Sequence, residues 1–224
     1  MSNEQFWAEW LKYFNGIIGP SIFSTLRMLT ATMILAFVFG FALSIALIII
    51  RPDGLDPHKR LYKVVDFFVN MIRSFPIIIL IVAISPLTRT IVGTTIGEKA
   101  AILPLTIAAT PFIARIFENA FAQVDKQLIE AARSFGASNM QIVFRVMVKE
   151  AVPSLVAGMT LTTISYLAAT TIAGAVGAGG LGAVALNYGY QSFNNTILYT
   201  AVIILCIMAQ IIQGTGNFIY KKVK

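Results

Sequence analysis

The chain has 224 residues, 57% of them hydrophobic and 12% charged, with a formal net charge of +7. Soluble domains carry about 25% charged residues, so the composition excludes a water-soluble core of ordinary kind and asks for a bilayer as solvent. The positive charge does not point to nucleic acid, because the basic residues fall in short segments between apolar runs, the pattern of membrane topology.

The opening stretch MSNEQFWAEWLKYFNGIIGP has no basic leading region and carries Glu4 and Glu9, which excludes a signal peptide. Trp7 and Trp10 predict an amphipathic helix lying at the membrane interface over 1–19, with a frayed polar tail as the plainer alternative. A spanning helix needs about 20 apolar residues, and five candidates follow: 21–50; 64–85, interrupted by the RSFP at 73–76; 100–121, with Pro104 and Pro111 inside it; 153–176; and 196–219. A membrane domain is therefore expected over 20–219 and a basic tail over 220–224, with no internal repeat and no soluble domain. Cys206 lies in an apolar run and reads as a small buried hydrophobe.

Orientation follows from lysine and arginine. Arg51, Lys59, Arg60 and Lys63, then Lys126, Arg133, Arg145 and Lys149, then Lys221, Lys222 and Lys224 share one side, eleven against Lys12, Arg89 and Lys99 on the other. The richer side is cytoplasmic. With five spans the N-terminus is outside and the C-terminus cytoplasmic, and the long polar segment at about 125–150 faces the cytoplasm.

Few residues offer catalysis. The run GAGGLG at 177–182 satisfies G-x-G-x-x-G, but that pattern needs a preceding strand and an acidic residue about 20 positions on. An apolar helix precedes it here, and no Asp or Glu follows Glu150. These glycines read as a tight turn or as close helix packing. There is no G-x-x-x-x-G-K-[ST], His58 is the only histidine, and no nucleophile has a base, so no catalytic or metal-binding residue is assigned.

Arg27, Arg73 and Arg115 fall inside predicted spans, with Asp66 and Glu118 near span ends. Arg27 is expected to snorkel to the outer surface. A charge at mid-membrane costs roughly 2.5–3.5 kcal/mol on insertion scales. Arg73 and Arg115 thus read either as a gate or path lining, or as an interfacial anchor and an Arg115–Glu118 pair one turn apart. Pro76, Pro104 and Pro111 fit either helices that shift or static kinks. The fourth span carries TLTTISYLAATT, in which Thr163, Tyr166 and Thr170 share one face with Ala169 and Ala173 nearby. That face suits a path for a polar solute, or hydrogen bonding between helices.

The stretch EAARSFGASNMQIVFRVMVKEAVPS resembles the EAA loop of ATP-binding-cassette importer permeases, through Glu130, Ala131, Ala132 and Gly136; Lys149 stands where the family signature has a proline. IRSFPIIILIVAISPLTRTIVGTTIG, PLTIAATPFIAR and AGAVGAGGLGAVALNYGY are similar to the methionine-importer branch. The resemblance implies an all-α integral membrane protein of the type I importer-permease fold, with five transmembrane helices per subunit, in the bacterial cytoplasmic membrane. It implies a homodimer, two cytoplasmic ATPase subunits that bind ATP and Mg, and an extracytoplasmic methionine-binding protein. No cofactor is expected in this chain itself, and no nucleic acid. Glu130, Ala131, Ala132, Gly136, Phe144 and Arg145 would form the ATPase-coupling loop, and Thr163, Tyr166, Ala169, Thr170 and Ala173 would line the translocation path. The rivals are a permease for another small solute, an ion-coupled secondary transporter, and a membrane subunit with no substrate. The second lacks support from a mid-span acidic residue or an inverted repeat.

Overall fold

A computed structural model describes residue 7 and residues 10–224. Among these, every regular element is helical. In chain order they are α1 (Trp10–Ile50), α2 (Lys59–Ser74), α3 (Ile77–Ala83), α4 (Ser85–Val92), α5 (Glu98–Ala122), α6 (Lys126–Ser134), α7 (Asn139–Ala178), α8 (Gly180–Ala183) and α9 (Asn195–Val223). A π-helical segment, Val184–Tyr190, continues α8. The helices α1, α5, α7 and α9 are each long and apolar enough to cross a membrane, and the bent pair α2 and α3, counted as one broken span, makes five.

The break between α2 and α3 has a local cause. Phe75 precedes a proline and takes φ −73°, ψ 130°, and Pro76 takes φ −57°, ψ 131°. A residue before proline is pushed out of the helical region by the ring, and two extended residues in succession turn the chain by 103°. At the N-terminal end the structure differs from the separate interfacial helix expected over 1–19. From Trp10 onward the chain is one helix with α1, while residues 1–6, 8 and 9 lie outside the described residues. Trp10 stacks on Phe14 with ring centroids 5.0 Å apart, and its indole N–H donates to the Thr200 hydroxyl at 3.2 Å. At 41 residues and 1.5 Å per residue, α1 measures about 60 Å, twice the hydrocarbon thickness.

The chain divides into two compact units, and the divisions fall inside the long helices. One unit comprises the chain up to Met33, Pro76–Thr106 and Thr163–Ile212; the other comprises Ile34–Phe75, Ile107–Thr162 and Gln213–Lys224. In the first, Met28, Leu29, Leu105, Leu181, Ile197 and Ala201 are buried. Its helix α7 ends where Val176 leaves helical geometry and Gly177 takes φ 95°. Gly180 then turns the chain against α1, where the backbone N–H of Leu181 donates to the Thr25 hydroxyl at 2.9 Å. In the second, Phe41 meets Phe117 and Phe121 edge-on at 6.1 and 6.3 Å, and Leu47, Val69 and Ala114 form a buried cluster. Lipid is as apolar as leucine, so such contacts stabilise through van der Waals packing rather than removal from water.

The same physics corrects the expectation for Cys206. It is exposed on α9, because an apolar residue in a membrane helix is at home facing lipid and need not be buried in protein. Arg27, expected to snorkel, is ion-paired to Glu98 at 3.0 Å.

Candidate functional site

The polar segment at 125–150 folds as helix, turn and helix. Asp125 starts α6, its carboxylate accepting from the backbone N–H of Gln127 at 2.8 Å; this fills one of the amides that a first helical turn leaves open. The helix stops because Gly136 takes φ 78°, a left-handed conformation open to glycine without a Cβ penalty. The Gly136 N–H donates to the Arg133 carbonyl at 2.9 Å, and the Ala137 N–H to the Ala132 carbonyl at 3.1 Å. Ser138 then caps α7. Its hydroxyl accepts from the Gln141 N–H at 3.4 Å, and the Gln141 side chain accepts from the Ser138 N–H at 2.9 Å, a reciprocal capping box. Hydrogen bonds thus close both ends of the turn, backbone to backbone at the end of α6 and through the Ser138–Gln141 side chains at the start of α7.

The inner side of this loop is anchored. Ile142, Val143 and Met147 are buried, Arg133 donates to the Leu55 carbonyl, and Phe144 lies on Phe41 with centroids 6.2 Å apart. Phe144, expected as an anchor for a partner, is thus half committed to its own unit. Glu130, Ala131, Gly136 and Arg145 are exposed and Ala132 is half-buried. Glu130 also lines, with Arg51, Lys126 and Arg133, a cavity of about 270 Å³. Sequence reasoning missed the most exposed large apolar side chain of the loop, Phe135, which is 91% exposed at the tip of the turn. The signal was present in the same string. A residue directly before a helix-ending glycine has left the helix face that periodicity describes, and an aromatic group there has nothing of its own chain to cover it. Leu128 and Met140 are exposed as well.

In the same unit, α2 and α5 are joined by charge. Arg115 pairs with Glu118 at 2.7 Å and with Asp66. Glu118 is 1% exposed and also accepts from the Tyr62 hydroxyl at 2.8 Å. The intrahelical pair foreseen in the sequence is therefore one half of the arrangement. Asp66, 49 residues away in the chain, supplies the other. Removing one member of a buried pair typically costs about 3–5 kcal/mol, because the remaining charge is left without a partner. Arg73 sits at the edge of this cluster, its guanidinium over the Phe112 ring at 5.8 Å.

The residues expected to line a path fall on α7 in the other unit. Tyr166, Ala169, Thr170 and Ala173 are buried, and Thr163 is half-buried. Thr170 donates its hydroxyl to the Leu167 carbonyl at 2.6 Å. The side of this helix left exposed is Leu161, Ser165, Ala168 and Ile172, spaced at helical intervals. Lys149, where the importer signature carries a proline, lies inside the continuous helix α7, as does Pro153.

Comparison with known proteins identifies the family. The family described as binding-protein-dependent transport system inner membrane component matches residues 40–215, and the chain belongs to that family. It is 38% identical over 216 residues to the probable D-methionine transport system permease protein MetI of Vibrio cholerae, covering 96% of each chain. To the methionine import system permease protein MetP of Bacillus subtilis it is 42% identical over 162 residues, covering 72% of this chain and 73% of that one. Among solved structures, inward-facing conformations of the MetNI methionine ABC transporter match at a TM-score of 0.91 and 41% identity, over 100% of both chains. An amino acid ABC transporter with histidines matches at a TM-score of 0.75 and 16% identity, over 99% of both, which shows a shared fold. The chain has the type I importer-permease fold and is a multi-pass protein of the bacterial cytoplasmic membrane.

Proposed function

We propose that this chain is the membrane-spanning permease subunit of an ATP-driven methionine importer, acting as two copies with two cytoplasmic ATPase subunits and an extracytoplasmic methionine-binding protein. The observation that carries the mechanism is the α6–α7 turn: a rigid, doubly capped corner with a bare phenylalanine at its tip. An exposed aromatic on a fixed turn is the anatomy of an interface anchor that lacks its pocket. The substrate assignment rests on the methionine relatives and on the MetNI structure, which match nearly the whole chain.

The cycle follows from the connections. ATP and Mg bind the partner ATPases, whose closure displaces the turn carrying Glu130, Ala131, Ala132, Phe135 and Gly136. The turn is covalently continuous with α7, so a rigid-body shift at one end moves the whole helix and alternates access to a central path. Thr163, Tyr166, Ala169, Thr170 and Ala173 shape the path wall from behind, while the neighbouring exposed side of α7, with Ser165 and Ala168, faces the solute.

Reconstitution of the permease with its ATPase and binding protein in liposomes tests the reading. The expected result is ATP-dependent uptake of labelled methionine that unlabelled methionine competes away. Uptake driven by an ion gradient without ATP, or ATP-driven uptake of a different solute alone, would overturn it.

A further inference from the structure

The polar edge of the α2–α5 cluster is left over by the mechanism above. Asn70 stands at its centre. Its amide nitrogen donates to Asp66 at 3.0 Å, and its amide oxygen accepts from Arg73 and from Arg115, each at 3.4 Å. Asn70 and Arg73 are exposed, whereas the side chain of Arg115 is 16% exposed and that of Asp66 32%. Around them on α2 the exposed residues include the apolar Phe67, Phe68 and Met71 and the polar Ser74.

Three physical points bear on this edge. Charged side chains facing acyl chains are costly, and Asp66 and Glu118 fall near the ends of their spans, where the edge meets water or protein. The group is electrically balanced, with Arg73 and Arg115 against Asp66 and Glu118. Glu118 is buried against Arg115, so the charges that reach the surface are one carboxylate and one guanidinium, with a second guanidinium just behind. Finally, the two guanidinium contacts to Asn70 are long for hydrogen bonds, so an anion can displace the amide oxygen at little cost.

We infer that Asp66, Asn70, Arg73 and Arg115 form a low-affinity way-station for the zwitterionic head group of an amino acid in transit. The solute carboxylate takes the position of the Asn70 amide oxygen between Arg73 and Arg115. The ammonium takes the outer oxygen of Asp66, in place of the Asn70 amide N–H. Phe67, three residues before Asn70 on α2 and exposed, offers an apolar surface to the rest of the solute. A neutral site that receives a neutral dipole changes no net charge, so neither occupied nor empty state leaves an ion unpaired in the membrane. That suits a site from which the solute must leave. This assignment rests on the reading of the chain as an amino-acid permease and adds where the solute is held.

The test uses the full transporter in liposomes and reads methionine taken up per ATP hydrolysed. Arg73→Gln should lower this ratio about tenfold, the worth of one charge-assisted hydrogen bond. Arg73→Lys, which keeps the charge, should recover much of it. Lys63→Gln, on the same helix outside the cluster, should match wild type. Thermal unfolding of each complex confirms that the variants are folded. An unchanged ratio in Arg73→Gln overturns the site while leaving the importer reading intact, as does an Arg73→Lys variant as deficient as Arg73→Gln. A wild-type complex that carries only a solute without a zwitterionic head group removes both.

Discussion

Gly136 and Gly180 take nearly the same left-handed backbone, at φ 78° and φ 74°, yet their surroundings are opposite. A Cβ on Gly136 would meet nothing within 4 Å, whereas one on Gly180 would lie 2.7 Å from the Thr25 hydroxyl and 2.9 Å from the Met28 methyl. The turn at Gly136 needs glycine for its backbone alone and keeps the space around it open. The 177–182 turn needs glycine for backbone and space together, because α1 is already there. The first arrangement leaves room for something outside the chain; the second is how the chain closes on itself.

The sharpest way to break this contrast is at Gly182, two residues beyond Gly180. Its Cβ would sit 2.4 Å from both the Cα and the carbonyl oxygen of Thr171, backbone atoms that cannot rotate away. Overpacking typically costs about 1–3 kcal/mol and more where backbone has to move. Gly182→Val should therefore lose the folded protein, read as the disappearance of the monodisperse peak on size exclusion in detergent. A variant of unchanged stability would mean that α8 does not lie against α7 as described.

At the turn carrying Gly136 the expectation reverses. Gly136→Val puts a β-branched residue at positive φ, where a non-glycine residue costs about 1–2 kcal/mol and a branched one more. With no packing to hold it, the turn rearranges locally. Membrane insertion, dimerisation and thermal stability should stay near wild type, while co-purification of the ATPase and ATP-driven uptake are lost. A variant missing from the membrane would show that the turn serves folding, and the two glycines would then be alike.

How much of this could be read from the sequence differs between fold and site. The apolar runs located the spans, and the observed helices Glu98–Ala122 and Asn195–Val223 begin and end within a few residues of the expected 100–121 and 196–219. Hydropathy works there because a bilayer demands a continuous apolar length. It says less about direction. In α7 the hydroxyl-bearing face suggested either a solute path or hydrogen bonding between helices; Tyr166 and Thr170 are buried and Ser165 and Ala168 exposed, and with hydroxyls on both sides of the helix periodicity does not separate the side that packs from the side that faces a path. Pairing across distance was also hidden. The Arg115–Glu118 contact is one turn long and visible in the string, whereas Arg115–Asp66 depends on how α2 meets α5.

The smallest expected effect isolates the partner contact from everything else. Phe135 is 91% exposed, so Phe135→Ala removes no packing from the permease, leaves no cavity and disturbs no helix, since its slot follows the last turn of α6. Its backbone N–H donation to the Ala131 carbonyl, at 3.2 Å, survives the change. Thermal stability of the permease alone should therefore be unaltered. In the complex the same ring would be desolvated at the tip of the contact, where aromatic anchors commonly contribute about 2 kcal/mol or more, a loss of roughly 30-fold in affinity. Titration of the purified ATPase onto permease in nanodiscs reads this directly. Phe135→Leu, which keeps much of the apolar volume, should fall between the two. An ATPase affinity unchanged in Phe135→Ala would place the anchor elsewhere on the loop, with the exposed Leu128 and Met140 as the next side chains to truncate.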